Sequence, residues 1–384
     1  MSWLTQVEFP CESWRAATSR AMFATTVVRQ AWRRAARMAY CVLAALPFAL
    51  SGALAAEPEA DAPGLHRDVV FSEYSPLASS AELMRRLLSP LAAWQVEESV
   101  AHGGDALRAQ EVDLAEEHFA LYVPAHAASQ GHGLLVFVAP WQEAALPRGW
   151  DSVLERYDIV FVSAANSGND ANILGRRDPL AVLAATNVMR RLKIDPQRVY
   201  IGGFSGGSRV ALRLALAYPD VFHGALLNAG SDAIGTATEP LPPVELFHAF
   251  QETTHVVYIT GEHDKLHRDM DAVSVASLRH WCVNAFDEDV TPGAGHEVAD
   301  PKALTRVLET LRRTKPVDTT RLAACRLNTE GELAKSLERL GSLVDSGDRS
   351  AAHKQLLGLD ARFGGLAAPH SVELARRCDC VLAP

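Results

Sequence analysis

No lysine occurs in the first 56 residues of this 384-residue chain, and only two acids do, against six arginines. Arg29, Arg33, Arg34 and Arg37 precede an apolar run from 39 to 54, and Ala53-Leu54-Ala55-Ala56 supplies a small-residue exit. That order predicts an export signal over residues 1–56, cleaved before Glu57, and a secreted or periplasmic product. The run is short for a spanning segment and contains Pro47, which disfavours an uncleaved anchor and stable membrane insertion after cleavage. The charged head is long enough that Met22 is an alternative start.

Other absences narrow the class. No internal repeat or low-complexity stretch is present, so array and disordered readings drop out. No Cys/His spacing marks a zinc site and no glycine loop of the phosphate-cradling kind occurs, so neither metal nor cofactor is called for. Basic residues are the minority beyond residue 56: 44 acids and 31 bases remain there, a net charge of −13. Such a surface disfavours nucleic acid or anionic membrane as partner. Cysteine is sparse too, with Cys282, Cys325, Cys378 and Cys380 following the signal. Their even number in an exported chain suggests two disulfides rather than free buried thiols. A bridge across the single residue between 378 and 380 would be strained, so Cys282 and Cys325 are each expected to pair with one of that couple.

What is present is an alternation. Short apolar runs at 118–123, 133–138, 158–163, 198–204, 222–228 and 255–260 are separated by stretches of helical spacing at 151–157, 179–192, 207–218, 269–284 and 301–313. Runs as continuously apolar as LLVFV and DIVFV imply burial on both faces. The fold class is therefore α/β, a mainly parallel sheet with helices on both sides, over residues 114–315. Residues 57–113 form a lead-in with one helix near 81–88, and 94–100 is a candidate opening strand. The Pro-rich segment 230–251 is either a cap over the site or a long crossover. Beyond Lys315-Pro316 the pattern is helical only, a small appendage over 316–384 built for packing on the body or for contact with substrate or partner.

The chemistry centres on Gly203-Phe204-Ser205-Gly206-Gly207, which ends the strand RVYIGGF and opens the helix GSRVALRLALAY. So tight a turn strains the serine backbone and requires glycines on either side, where larger side chains would strike the neighbouring strand and helix. A serine hydroxyl needs a base, and the base needs a carboxylate to orient it. Asp264 follows the strand HVVYIT, and His296 lies in the loop TPGAGHE, in the chain order Ser, Asp, His. Glu262 competes for the carboxylate role, with Asp264 favoured; His263, His267 and His280 read as surface histidines. Acyl transfer also needs two N–H groups facing the oxyanion. Gly206 supplies one, and since Pro140 has no N–H, Trp141 is the expected second donor, its indole a candidate wall of the acyl pocket. Asn166, Asn169 and Asp170, on the loop after the next strand, are candidate substrate contacts.

With these residues in hand, the chain from about Tyr122 to Arg313 resembles the α/β-hydrolase superfamily, and within it the exported esterases of the polyhydroxybutyrate-depolymerase and feruloyl-esterase type. The likeness is carried by IDPQRVYIGGFSGGSRVA, by TGEHD at Asp264 and by GAGH at His296. It departs at Ala139-Pro140, where those esterases usually carry His-Gly. The resemblance implies the α/β-hydrolase fold and the Ser205, His296, Asp264 triad acting on a small or polymeric ester. A peptidase or thioesterase with the same triad, and a catalytically silent binding protein on the same fold, are the alternatives.

Overall fold

The computed structural model describes residues 62–380 apart from 105, 127, 128 and 314. The expected export signal at 1–56 lies outside them.

Eight strands form one sheet: β1 (Gly64–Val70), β2 (His118–Val123), β3 (His132–Val138), β4 (Ile159–Ala164), β5 (Ile194–Phe204), β6 (Gly224–Asn228), β7 (His255–Gly261) and β8 (Phe286–Thr291). Their spatial order is β1-β2-β4-β3-β5-β6-β7-β8. β2 runs antiparallel to β1 and β4, and every other pairing is parallel. The pleat sends successive side chains of β3 to opposite sides. Leu134, Val136 and Val138 enter one core while Leu135 and Phe137 enter the other, which is why the run carries no polar alternation.

The helices are α1 (Ser80–Leu87), α2 (Pro90–Ala101), α3 (Trp150–Tyr157), α4 (Asp178–Arg191), α5 (Gly206–Ala217), α6 (Val244–Thr253), α7 (Lys265–His280), α8 (Pro301–Leu311), α9 (Thr319–Asp345), α10 (Arg349–Phe363) and α11 (His370–Cys378). α3 and α8 cover one face through Trp150, Leu154, Leu304 and Leu308. α4, α5, α6 and α7 cover the other, and Leu340, Leu356, Phe363 and Ala375 of the last three helices join that same core. Asp360 of α10 accepts from Leu91 N–H at 3.1 Å and Ser89 Oγ at 2.5 Å, tying the appendage to the start of α2. No described helix is long and apolar enough to cross a membrane.

Two expectations need correction. Residues 94–100 do not open the sheet; they belong to α2, whose start is set by Ser89, accepting from Ala92 N–H, and by Pro90 in the first turn. The opening strand is β1, an edge strand. The cysteines do not pair across to the tail either: the bridges are Cys282–Cys325 and Cys378–Cys380. The cause of the first is a polar tie between helices. Arg326 of α9 donates to Gln251 Oε1 at 2.6 Å, and Gln251 Nε2 donates to Trp281 O at 2.8 Å, so Cys325 is brought to the end of α7. The second closes where Asp379 turns left-handed at φ 50°.

The Cys282–Cys325 bridge closes a loop with a sequence separation of 43, whereas Cys378 and Cys380 are separated by 2. Only the longer loop appreciably restrains the unfolded chain. Replacing both Cys282 and Cys325 by Ala is expected to lower stability by about 2–4 kcal/mol. Denaturant titration of oxidised and reduced protein checks this, since reduction should add little once that pair is gone.

Candidate active site

The elbow is built from β5, Ser205 and α5. Ser205 adopts φ 53° and ψ −122°, a conformation costly for any residue with a side chain. Its N–H donates to Asn228 O of β6 at 2.8 Å, which anchors the turn to the sheet. The glycines are dictated by contact: a Cβ at Gly203 would lie 2.3 Å from the Gly207 backbone, and one at Gly207 would lie 1.9 Å from Val138 O. Strand and helix can approach this closely only without side chains there.

The structure brings Ser205, His296 and Asp264 together. His296 Nε2 lies 3.1 Å from Ser205 Oγ, and His296 Nδ1 lies 2.7 Å from Asp264 Oδ2. Asp264 is buried at the N-cap of α7, three residues past the end of β7. Glu262 does something else. Its Oε2 accepts from Gly293 N–H at 2.8 Å, and its own N–H donates to Thr291 O at 3.0 Å, so it closes the turn that carries His296.

His267, which the sequence presents as a surface histidine, is only part-exposed and joins the site. Its Nδ1 lies 2.8 and 2.9 Å from the two oxygens of Asp264, and its ring stacks on His296 at 4.2 Å between centroids and 13° between planes. Phe204 covers His296 at 4.8 Å, and Trp141 packs on Phe204 at 6.3 Å. One sequence signal pointed this way: Asp264 is the N-cap and His267 the third helical residue, the spacing at which the two side chains meet over the first turn. Burial raises the pKa of Asp264, but hydrogen bonds from His267 and His296 outweigh it and hold the carboxyl below the ordinary range. Ligand atoms of Asp264, His267 and His296 lie within 4.8 Å of one another. Both rings place Nδ1 on the carboxylate, and His296 Nε2 is engaged with Ser205 Oγ.

Gly206 N–H and Trp141 N–H have no acceptor among the described residues. Pro140 O accepts from Asn169 N–H at 3.0 Å, which fixes the peptide that carries the Trp141 N–H. A Cβ on Gly206 would lie 2.3 Å from Asn169 Oδ1, so that side chain abuts the elbow. Ser205 opens on a cleft of about 620 Å³, lined also by Asn169, Ile173, Val210, Arg209 and His267. Of the four residues expected at the substrate, Asn169 lines it, while Asn166, Asp170 and the Trp141 ring do not. Asn166 is a turn residue at φ 50°, donating to Gln142 O and accepting from Arg176 Nε, each at 2.6 Å. The segment after β6 is a wall of this cleft through Asp232, Thr238 and Glu239. Burial pushes the Glu239 carboxyl up to about 8, against the pull of Arg213.

Sheet order, the antiparallel β2 and a serine elbow between β5 and α5 together define an α/β-hydrolase fold. Neither a family model nor a curated protein matches the chain. Among solved structures it is similar to an S-formylglutathione hydrolase from Staphylococcus aureus, at 12% identity over 51% of this chain and 92% of that one, TM-score 0.40. It is similar to an acetyl xylan esterase from Aspergillus awamori at 12% identity over 51% and 94%, TM-score 0.40. A putative dipeptidyl aminopeptidase IV from Bacteroides ovatus is matched at 17% identity over 51% of this chain, TM-score 0.36, and there the chain spans only 32% of the other's length.

Proposed function

We propose that this chain is an exported serine hydrolase that cleaves carboxylic esters through an acyl-enzyme on Ser205. The observation that carries the reading is the unbroken hydrogen-bonded line from Ser205 Oγ through His296 to Asp264, at 3.1 and 2.7 Å, starting from a strained serine. In that line Ser205 Oγ–H passes its proton to His296 Nε2 as Oγ bonds the acyl carbon. Asp264 holds the imidazole with Nε2 free to accept, and stabilises the imidazolium. The Gly206 and Trp141 N–H groups face the oxyanion of the tetrahedral intermediate. Its collapse expels the alcohol, which takes the proton from Nε2. Water then attacks the acyl-enzyme, giving its proton to the same nitrogen, and the acid departs as Oγ recovers a proton.

Export is supported by the arginine head and apolar run of residues 1–56 and by the Cys282–Cys325 bridge, a bond that persists in oxidising compartments. The test is a panel of one acyl group presented as p-nitrophenyl ester, thioester and p-nitroanilide. Ester turnover should exceed anilide turnover by orders of magnitude. An anilide preference would move the chain to the peptidases, and no turnover of any member would favour the silent binding protein.

A further inference from the structure

Arg177 ends a wide helical turn, Ile173–Arg177, that runs into α4, and its side chain is 3% exposed. Three of its five N–H groups donate to main-chain carbonyls, and the residue also lines the Ser205 cleft. Nε donates to Ser167 O at 2.9 Å, Nη2 to Ala139 O at 3.1 Å and Nη1 to Gly206 O at 3.5 Å. These acceptors belong to the loop after β4, the loop after β3 and the first residue of α5, the three segments that border Ser205. Among the described residues no carboxylate accepts from Arg177. The neighbouring Asp178 turns instead to Arg213 Nε at 3.3 Å.

A buried guanidinium bonded only to carbonyls is costly to keep, and burial holds its pKa below the usual guanidinium range in spite of Asp178. Yet the position suits a site where negative charge develops. The two N–H groups assigned to the oxyanion belong to separate segments, the loop after β3 and the first residue of α5, and their separation is set by nothing covalent. Arg177 grips Ala139 on one side and Gly206 on the other, adding positive potential behind both.

We propose that Arg177 is the positioning residue of the oxyanion hole, clamping the Ala139–Trp141 loop to the Gly206 end of the elbow so that both N–H groups meet the tetrahedral oxyanion. The inference rests on the acyl-transfer reading above, and it predicts a loss confined to the transition state. The comparison uses the full chain and its Arg177→Lys variant, which keeps the charge but cannot span three acceptors. p-Nitrophenyl butyrate gives kcat and KM, a boronic acid reports on the tetrahedral adduct, and fluorophosphonate titration counts competent sites.

For Arg177→Lys, kcat per competent site should fall about 10²-fold, the scale of losing one oxyanion donor. KM should stay within about threefold, and the boronic acid should bind more weakly by a factor matching the loss in kcat. A Lys variant with unaltered kcat and boronate affinity would overturn the proposal, as would a loss seen only in KM or only in the number of competent sites. If the Lys variant melts below assay temperature, Arg177→Gln carries the same comparison with the same expected pattern. An unaltered chain that neither turns over ester nor binds boronate would instead remove the acyl-transfer reading itself. That result is distinct from an active chain indifferent to Arg177.

Discussion

Ser205→Ala should lower ester turnover by about 10⁶-fold and abolish labelling by a fluorophosphonate, while leaving the fold intact. The expectation of an intact fold comes from what Ser205 Oγ touches. It caps no helix N–H, and its hydrogen-bond partner is His296 Nε2, so Ala removes one contact on the cleft side and none in the core. The strained φ of 53° remains in Ala and is relieved only in Gly, so Ser205→Gly should be as inactive as Ala and somewhat more stable. A stabilised but inactive glycine variant would separate the backbone strain from the chemistry. Labelling that persists in either variant would place the nucleophile on another residue.

How much of this could be read beforehand depends on how local each requirement is. Ser205 was legible because the elbow writes its own sequence: Gly203 and Gly207 are demanded by backbone atoms within 2.3 Å, and an apolar strand and a helix flank them. Asp264 and His296 were legible from chain order after β7. Edge strands were not. β1 and β8 each have one neighbour, so GLHRDVV and FDEDVT carry exposed polar side chains and lack the apolar run that marked β3 and β4. The cysteine partners depend on Gln251 linking α9 to Trp281, a contact between residues far apart in the chain. The sequence hides Arg177 because Arg176-Arg177-Asp178 looks like a solvated helix start, whereas in the fold Arg177 turns inward to three main-chain carbonyls.

The choice between Asp264 and Glu262 gives the second large effect: Asp264→Asn should lower kcat by about 10⁴-fold, the scale seen when a triad carboxylate becomes an amide. Two imidazoles share this carboxylate, His296 through Oδ2 at 2.7 Å and His267 through both oxygens at 2.8 and 2.9 Å. An amide has one acceptor oxygen to offer, and its NH₂ must face the other ring. Where NH₂ faces His296, Nδ1 can no longer carry the proton, the tautomer switches, and Nε2 loses the lone pair that receives the Ser205 proton. Stability should barely change, because Asn serves the N-cap of α7 as well as Asp does. Glu262→Gln keeps an oxygen for the Gly293 N–H and should cost less than about threefold, within the range of an ordinary surface substitution. His267→Phe, which keeps the stacked ring but removes one donor to the carboxylate, should fall between the two. Steady-state kinetics on the three variants orders them, and a Glu262→Gln loss equal to that of Asp264→Asn would overturn the assignment of Asp264.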